Sequence, residues 1–228
     1  MKEKLRNLLC DKPFYKTVLA IAMPIIIQNA ITNFVNMLDN IMVGRLSTEA
    51  MSGVSIVNQY VFIFNLAIFG GLAAAGIYTA QYFGLGDDEG VRHTFRYKII
   101  ISIIVGVVGV LLFVFFGHHF IDNFLHDGSV EGDLELTRTL GQEYLNIMVI
   151  GFIPFAFACS YASTYRETNE TVLPMTASLI AVGTNFVLNY VLIFGKLGIK
   201  PMGVVGAAVA TVVSRYLELA ILVIYPFF

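Results

Sequence analysis

The sequence predicts an all-α polytopic membrane protein, a bundle of six transmembrane helices. Three observations carry that prediction. The 228 residues are 57% hydrophobic and only 13% charged, with a mean hydropathy of +0.76, whereas soluble domains carry about 25% charged residues. The charges cluster between long uncharged runs, each near the roughly 20 apolar residues that a helix needs to cross the hydrocarbon core. Those runs are unbroken rather than alternating over segments of about ten residues, so a closed barrel is not expected.

Residues 1–16, beginning MKEKLRNLLC, form a basic tail. It is too charged and too long for a signal n-region and no A-x-A-like cleavage site follows, so the first span is retained. That span is expected at 17–43, with Pro24 inside it, where proline kinks a helix and frees a carbonyl. The second, at 50–84, contains GGLAAAG, small residues that let helix backbones approach closely. The third is expected at 95–117.

An acidic loop follows, with Asp122, Asp127, Glu131, Asp133, Glu135 and Glu143 set against Arg138. It reads as a solvated external loop, with attraction of cations to an outer vestibule as the alternative. Its LELTRTLGQEYL portion is expected to form a short helix leading into the fourth span at 139–163, which holds Pro154. The fifth span is expected at 171–195. The sixth, at 203–227, opens on GVVGAAVA and carries Arg215 and Glu218, an i, i+3 pair of opposite sign expected to neutralise each other.

Lys2, Lys4, Arg6, Lys12, Lys16, Arg92, Arg96, Lys98 and Arg166 fall on one side of this alternation, against Arg45, Arg138, Lys196 and Lys200 on the other. The positive-inside rule then places both termini in the cytoplasm. The net charge of −2 identifies no partner, and no nucleic-acid partner is expected. Cys10 and Cys159 lie in different settings and suggest no disulfide or metal framework.

The stretch NFVNMLDNIMVG in the first span is unusual for a membrane helix. At about 100° per residue, Asn29, Asn33, Asn36 and Asn40 fall within about 60° of one another, with Gln28, Thr32 and Asp39 on the same side. A face polar over about 140° cannot point at lipid, so it faces other helices or water. Hydrogen bonding between helices, worth roughly 0.6–2 kcal/mol per bond, explains the asparagines as well as a functional role does. Asp39 differs, because a carboxylate inside the membrane marks function by default, with a position near the interface as the alternative.

Companions occur on other spans. Asn185 and Asn189 lie one turn apart on the fifth, Thr211, Ser214, Arg215 and Glu218 share an arc of the sixth, and Asn58 and Asn65 share a face of the second. Oxygen-rich side chains around a carboxylate suit a hard cation, and equally a carboxylate that takes up and gives off a proton. Tyr60, Phe62, Phe64, Phe34, Phe155 and Phe157 are the aromatics available to an apolar pocket wall. An intramembrane enzyme is not expected: His93, His118, His119 and His126 share no face with a catalytic partner, and no HExxH, GxSxG or P-loop motif occurs.

The run MP…NxxxNxxDNIMVGRLSTEAMSGVSI, over 23–56, resembles the first helix and following loop of multidrug and toxic compound extrusion (MATE) transporters. NFVLNYVLIFG followed by PMGVVGAAVATVVSR resembles their fifth and sixth helices, and QYFGLGDDEGVRHTF their loop between helices two and three. The resemblance covers essentially the whole chain and is nearest to the prokaryotic DinF-like branch. It implies a twelve-helix exporter made of two six-helix bundles related by a pseudo-two-fold axis, this chain being the amino-terminal one. Such transporters sit in the cell membrane and exchange small amphipathic, commonly cationic compounds for Na+ or H+, without an organic cofactor.

In that branch the first-helix aspartate matches Asp39, the helix-five asparagine Asn185 and the helix-six threonine Thr211, the residues expected to hold Na+ if sodium is the coupling ion. Asn36 and Asn189 complete the expected cation or proton site. Asn189 stands where the branch has a carboxylate, which weakens the anionic character of the site. Pro24, Gln28, Asn58, Asn65, Arg215 and Glu218 are expected in substrate contact or gating.

A lipid-linked precursor flippase of related architecture would need a cavity rich in Arg or Lys, and only Arg215 is expected within the membrane. A non-transporting scaffold or half-transporter subunit is a further alternative. The length implies either a missing carboxy-terminal bundle or pairing with a second copy in a parallel C2 dimer.

Overall fold

A computed structural model describes residues 12–126 and 132–225. Lys2, Lys4, Arg6 and Cys10 of the tail, Asp127 and Glu131 of the acidic segment, and 226–228 of the expected sixth span lie outside the described residues. Among the described residues, six helical segments are long and apolar enough to cross a membrane, and there is no strand. The first span is Lys12–Gly44, the second Thr48–Leu85, the third Asp88–His126, the fifth Val172–Phe194 and the sixth Gly203–Ile224. The fourth is two helices, Leu134–Met148 and Phe152–Glu167, joined by a 3-10 turn at Val149–Gly151.

The helices extend beyond several of the uncharged runs because caps, not charges, end them. Ser47 Oγ accepts from the Ala50 N–H at 3.0 Å to open the second span. Gly86, at φ 72°, closes it in the left-handed conformation that glycine adopts without strain. Asp87 Oδ1 then accepts from the Gly90 N–H at 2.9 Å, so the stretch around Arg92, ahead of the expected start of the third span, already forms its first turns.

The acidic segment is likewise largely helical. The third span runs on to His126, and Asp133 Oδ1 caps the next helix by accepting from the Glu135 and Leu136 N–H groups at 3.0 and 3.1 Å. The short helix expected before the fourth span is the first half of that span itself. Arg138 ties it back to Asp122 of the third span at 2.7 Å. The break in the fourth span has its cause in Pro154, whose ring crowds the carbonyl of Ile150 and which offers no N–H. Pro24, by contrast, lies inside a helix that continues through it.

The fifth and sixth spans pack together, and the first leans mainly on the fifth. The second packs on the third and on the first half of the fourth, the third on the second half, and the sixth touches both halves. Small residues set the closest approaches. A Cβ on Gly53 would lie 2.8 Å from the Thr137 carbonyl oxygen and 2.9 Å from the Gly141 nitrogen, and one on Gly206 would lie 2.8 Å from the Leu192 carbonyl carbon. Phe64 stacks on Phe152 at 4.4 Å, with Phe113 edge-on to Phe152 at 5.2 Å. Exposed Ile104, Val108, Leu111 and Phe115 form an apolar stripe on the third span, the kind of surface that lipid covers.

Candidate cation and substrate cavity

All spans except the third enclose a cavity of about 770 Å³. The polar stripe of the first span borders it unevenly. Gln28 is buried and Thr32 and Asp39 are half-buried, whereas Asn29, Asn33, Asn36 and Asn40 are exposed. The first three of these asparagines line the cavity. Asn40 lies in a second cleft of about 530 Å³ with Ser55, Asn58 and Gln59. Among the described residues none of the four asparagines makes a side-chain hydrogen bond to the protein. Hydrogen bonding between helices therefore does not explain them, and they border open space that lipid could not satisfy.

Asp39 belongs to a cluster contributed by three spans. The Asn185 amide, oriented as its neighbours require, donates from Nδ2 to Asp39 Oδ2 at 2.8 Å and turns its oxygen to Thr211 Oγ1 at 3.3 Å. Asn189, one turn further along the fifth span and only 1% exposed, lies against the Asp39 carboxylate. Asp39 Oδ1 and Asn189 Oδ1 are buried and lack a hydrogen-bond partner among the described residues. Buried Tyr144, which the sequence did not single out, lies near the Thr211 side chain and donates to Asn58 Oδ1 at 3.5 Å. Nothing in its local sequence marks it; only the crossing of the first half of the fourth span over the sixth places it there.

The other end of the cavity is built differently. Gln28 stands eleven residues before Asp39 on one helix, about 16 Å away along its axis. Arg166 Nη2 donates to Gln28 Oε1 at 3.1 Å, and Arg166 Nε is buried without a partner among the described residues. Glu218 lies near the Ser178 side chain and within electrostatic reach of Arg166 and Arg215. Arg215 lies over the Phe155 ring, 4.9 Å from its centroid, and Nη1 reaches the Gly151 carbonyl at 3.4 Å.

Arg215 and Glu218 lie within electrostatic reach of each other, but they do not form the close pair that their spacing suggests. Among the described residues the salt bridges are Glu89–His93, Lys98–Glu167, Asp122–Arg138 and Glu135–Arg138. Helical side chains lean toward the helix N-terminus. Arg215 accordingly runs to the break in the fourth span, while Glu218, a turn later, meets the fifth.

Arg215 is also not the one cation within the bundle. Lys98, fully buried, donates to Ser163 Oγ at 3.0 Å, to Thr164 Oγ1 at 3.2 Å and to the Glu167 carboxylate. Ser163 donates in turn to Glu167 Oε1 at 2.7 Å, and Gly76 of the second span leaves the room the carboxylate occupies. Arg166 could have been found from spacing: Phe155, Cys159, Ala162 and Arg166, all on the cavity wall, recur at helical intervals on one face.

Of the other expected residues, Asn65, Phe62 and Phe155 line the cavity. Asn58 lies in the second cleft, apart from Asn65. Pro24 is not among the lining residues, and Phe64 is packed in the core.

A six-helix membrane bundle around a polar cavity, with a carboxylate turned into it, defines a multi-pass protein of the transporter class. Residues 24–191 match the MatE family, and the chain belongs to it. The family is one of transporters, not enzymes. The chain is 29% identical over 215 residues to a probable multidrug resistance protein NorM of Thermotoga maritima, covering 91% of this chain and 43% of that protein. A second NorM, from Halalkalibacterium halodurans, is 28% identical over 210 residues, covering 92% and 44%. An outward-facing multidrug resistance MATE family transporter of the MOP superfamily superposes with a TM-score of 0.78 at 25% identity, over 93% of this chain and 45% of that one. An inward-facing one superposes with a TM-score of 0.71 at 24% identity, over 92% and 45%. The chain thus spans less than half the length of these relatives and matches one half of the fold.

Proposed function

We propose that the chain is the amino-terminal half of a cation-coupled multidrug exporter in a prokaryotic plasma membrane, with both termini cytoplasmic. The observation that carries this reading is Asp39 itself, inside the bundle with Asn185 at 2.8 Å from Oδ2 and with Oδ1 unpartnered among the described residues. A carboxylate at that depth is costly as a bare charge, and loading it with a proton or a monovalent cation removes the cost. A proton is accepted at Oδ1. Sodium takes oxygen donors from Asp39, Asn189 and Thr211, with the Asn185 amide turned to present its oxygen. With Asn189 in place of a second carboxylate, the site carries a single negative charge, which either ion balances.

Loading takes the charge from Asp39 and loosens its hold on Asn185, so the tie between the first and fifth spans depends on the ion. The energy for export is the difference in ion affinity between outward- and inward-facing states, with the first span rocking or bending near Pro24. The asparagine-lined cavity takes a small amphipathic, commonly cationic compound. A second bundle, or a second copy of this one, closes its open side. The DinF-like placement rests on Asp39, Asn185 and Thr211 standing where that branch has its coupling residues.

The test is ion-gradient-driven efflux from proteoliposomes containing the protein with Asp39→Asn, reconstituted at several protein densities to register self-pairing. Efflux unchanged by the substitution refutes the reading. One observation favours the lipid-linked flippase, the presence of Arg166 beside Arg215 on the cavity wall. It ranks second because Asp39 and Glu218 on the same wall balance both arginines.

A further inference from the structure

The row of first-span asparagines does not stop at the large cavity. Asn29, Asn33 and Asn36 line that cavity, whereas Asn40 lines the second cleft of about 530 Å³. Asn29 and Asn40 are about 16 Å apart along the helix axis, so side-chain amides continue from one space into the other. Among the described residues Phe62 alone lines both spaces, and its side chain is free enough to be 65% exposed.

The two spaces differ in charge. Asp39, Arg166, Arg215 and Glu218 all face the cavity. The cleft is lined by Asn40, Ser55, Asn58, Gln59, Phe62 and Ile63, none of them ionisable. Asn58 is engaged by Tyr144, which donates to its Oδ1 at 3.5 Å. Asn40, Ser55 and Gln59 are exposed, and their side chains make no hydrogen bond to the protein among the described residues. Lipid satisfies none of these groups. A few convergent polar side chains beside an aromatic ring are the make-up of a small-molecule site.

We propose that this cleft is a second binding station for the transported molecule, taking its uncharged amide, hydroxyl or carbonyl groups, with Phe62 as the partition between cleft and cavity. The proposal rests on the reading of the cavity as the substrate chamber and of both termini as cytoplasmic. In that orientation the cleft lies toward the outer end of the bundle, near the close of the first span and the start of the second. Neutral hydrogen bonds are about half as strong as charge-assisted ones. Cargo that passes Phe62 from the cavity therefore meets a weaker hold, and the cleft serves release rather than capture.

The test uses a fluorescent methoxycoumarin with an aminomethyl arm, and its N-acetyl counterpart, which carries no charge. Both are titrated into the purified protein, into Asp39→Asn and into the double variant Ser55→Ala with Gln59→Leu, with helicity and melting recorded for each. Neither Ser55 nor Gln59 bonds to the protein through its side chain among the described residues, so the double variant is expected to fold as wild type does. It is expected to weaken the acetamide by about tenfold, the scale of two lost neutral hydrogen bonds, and Asp39→Asn to leave the acetamide within about twofold. The amine is expected to lose about tenfold or more in Asp39→Asn.

An acetamide that does not bind wild type overturns the proposal, and that result needs no variant to fold. An acetamide that keeps its affinity in the folded double variant, or that weakens in Asp39→Asn as far as the amine does, overturns it as well. The chamber reading is tested separately by the amine: it fails if the amine ignores Asp39→Asn, whatever the acetamide does.

Discussion

Replacing Lys98 with methionine keeps most of the side-chain volume and removes the charge that Glu167 faces. Lys98 is fully buried in the third span, and the Glu167 side chain is 19% exposed at the end of the fourth. Breaking a buried ion pair by removing one partner costs about 3–5 kcal/mol, because the remaining charge stays out of water. The partial exposure of Glu167 moves the expectation to the lower end, about 3 kcal/mol. The two hydroxyls that Lys98 engages, Ser163 and Thr164, can turn to other acceptors and add little. Adding Glu167→Gln to Lys98→Met removes the stranded charge and is expected to recover at least half of the loss, so the pair couples by roughly 1.5 kcal/mol or more. Denaturant or thermal unfolding of the purified protein in detergent, followed by helicity, measures all four members of the cycle. A single Lys98→Met within about 0.5 kcal/mol of wild type, or single losses that simply add in the double variant, refutes the buried-pair reasoning.

Two further substitutions test the packing and the ion site. Gly53→Val puts a branched side chain where a Cβ already lies 2.8 Å from the Thr137 carbonyl oxygen; overpacking of this kind is expected to cost about 3 kcal/mol, seen as a lower midpoint in the same unfolding assay, and an unchanged midpoint contradicts the close crossing of the second and fourth spans. Asn189→Asp places a second carboxylate one turn from Asn185 and beside Asp39; calorimetric titration with Na+ is expected to show tighter binding by about tenfold or more, and an unchanged isotherm argues that Asn189 lies outside the ion site.

The six spans were legible because a membrane helix must satisfy its backbone internally and be apolar over its whole length, a demand that leaves long runs in any sequence. The ends of the spans were not. The expected spans put Lys98 at the very start of the third and Arg166 in a loop, yet helices begin and stop at caps such as Ser47, Gly86 and Asp133. A charge within the first or last few turns inside a cap is still helical and can turn inward. Lys98 does so to meet Glu167, and Arg166 to meet Gln28. The cap signals were present, in STEA, LGDD and the aspartate before LELT, but they matter only once charge is no longer taken as the boundary.

The first-span stripe shows why the geometry of one helix does not decide a role. Helical phase put the asparagines, Gln28 and Asp39 on one polar face, and left bonding between helices and function equally open. The neighbouring spans separate them. The edge carrying Gln28 and Asp39 is the edge the fifth and fourth spans reach, through Asn185 to Asp39 and Arg166 to Gln28, while the asparagines stay unbonded to the protein along the cavity and the second cleft. Phase also paired Arg215 with Glu218, because spacing along one helix says nothing of a proline break in another. Pro154 opens that break at Gly151, and Arg215 goes to it. The charge balance of the cavity is therefore a property of how four spans meet: Asp39 of the first with amides from the fifth, and Arg166 of the fourth, held by Gln28 of the first, within electrostatic reach of Glu218 of the sixth.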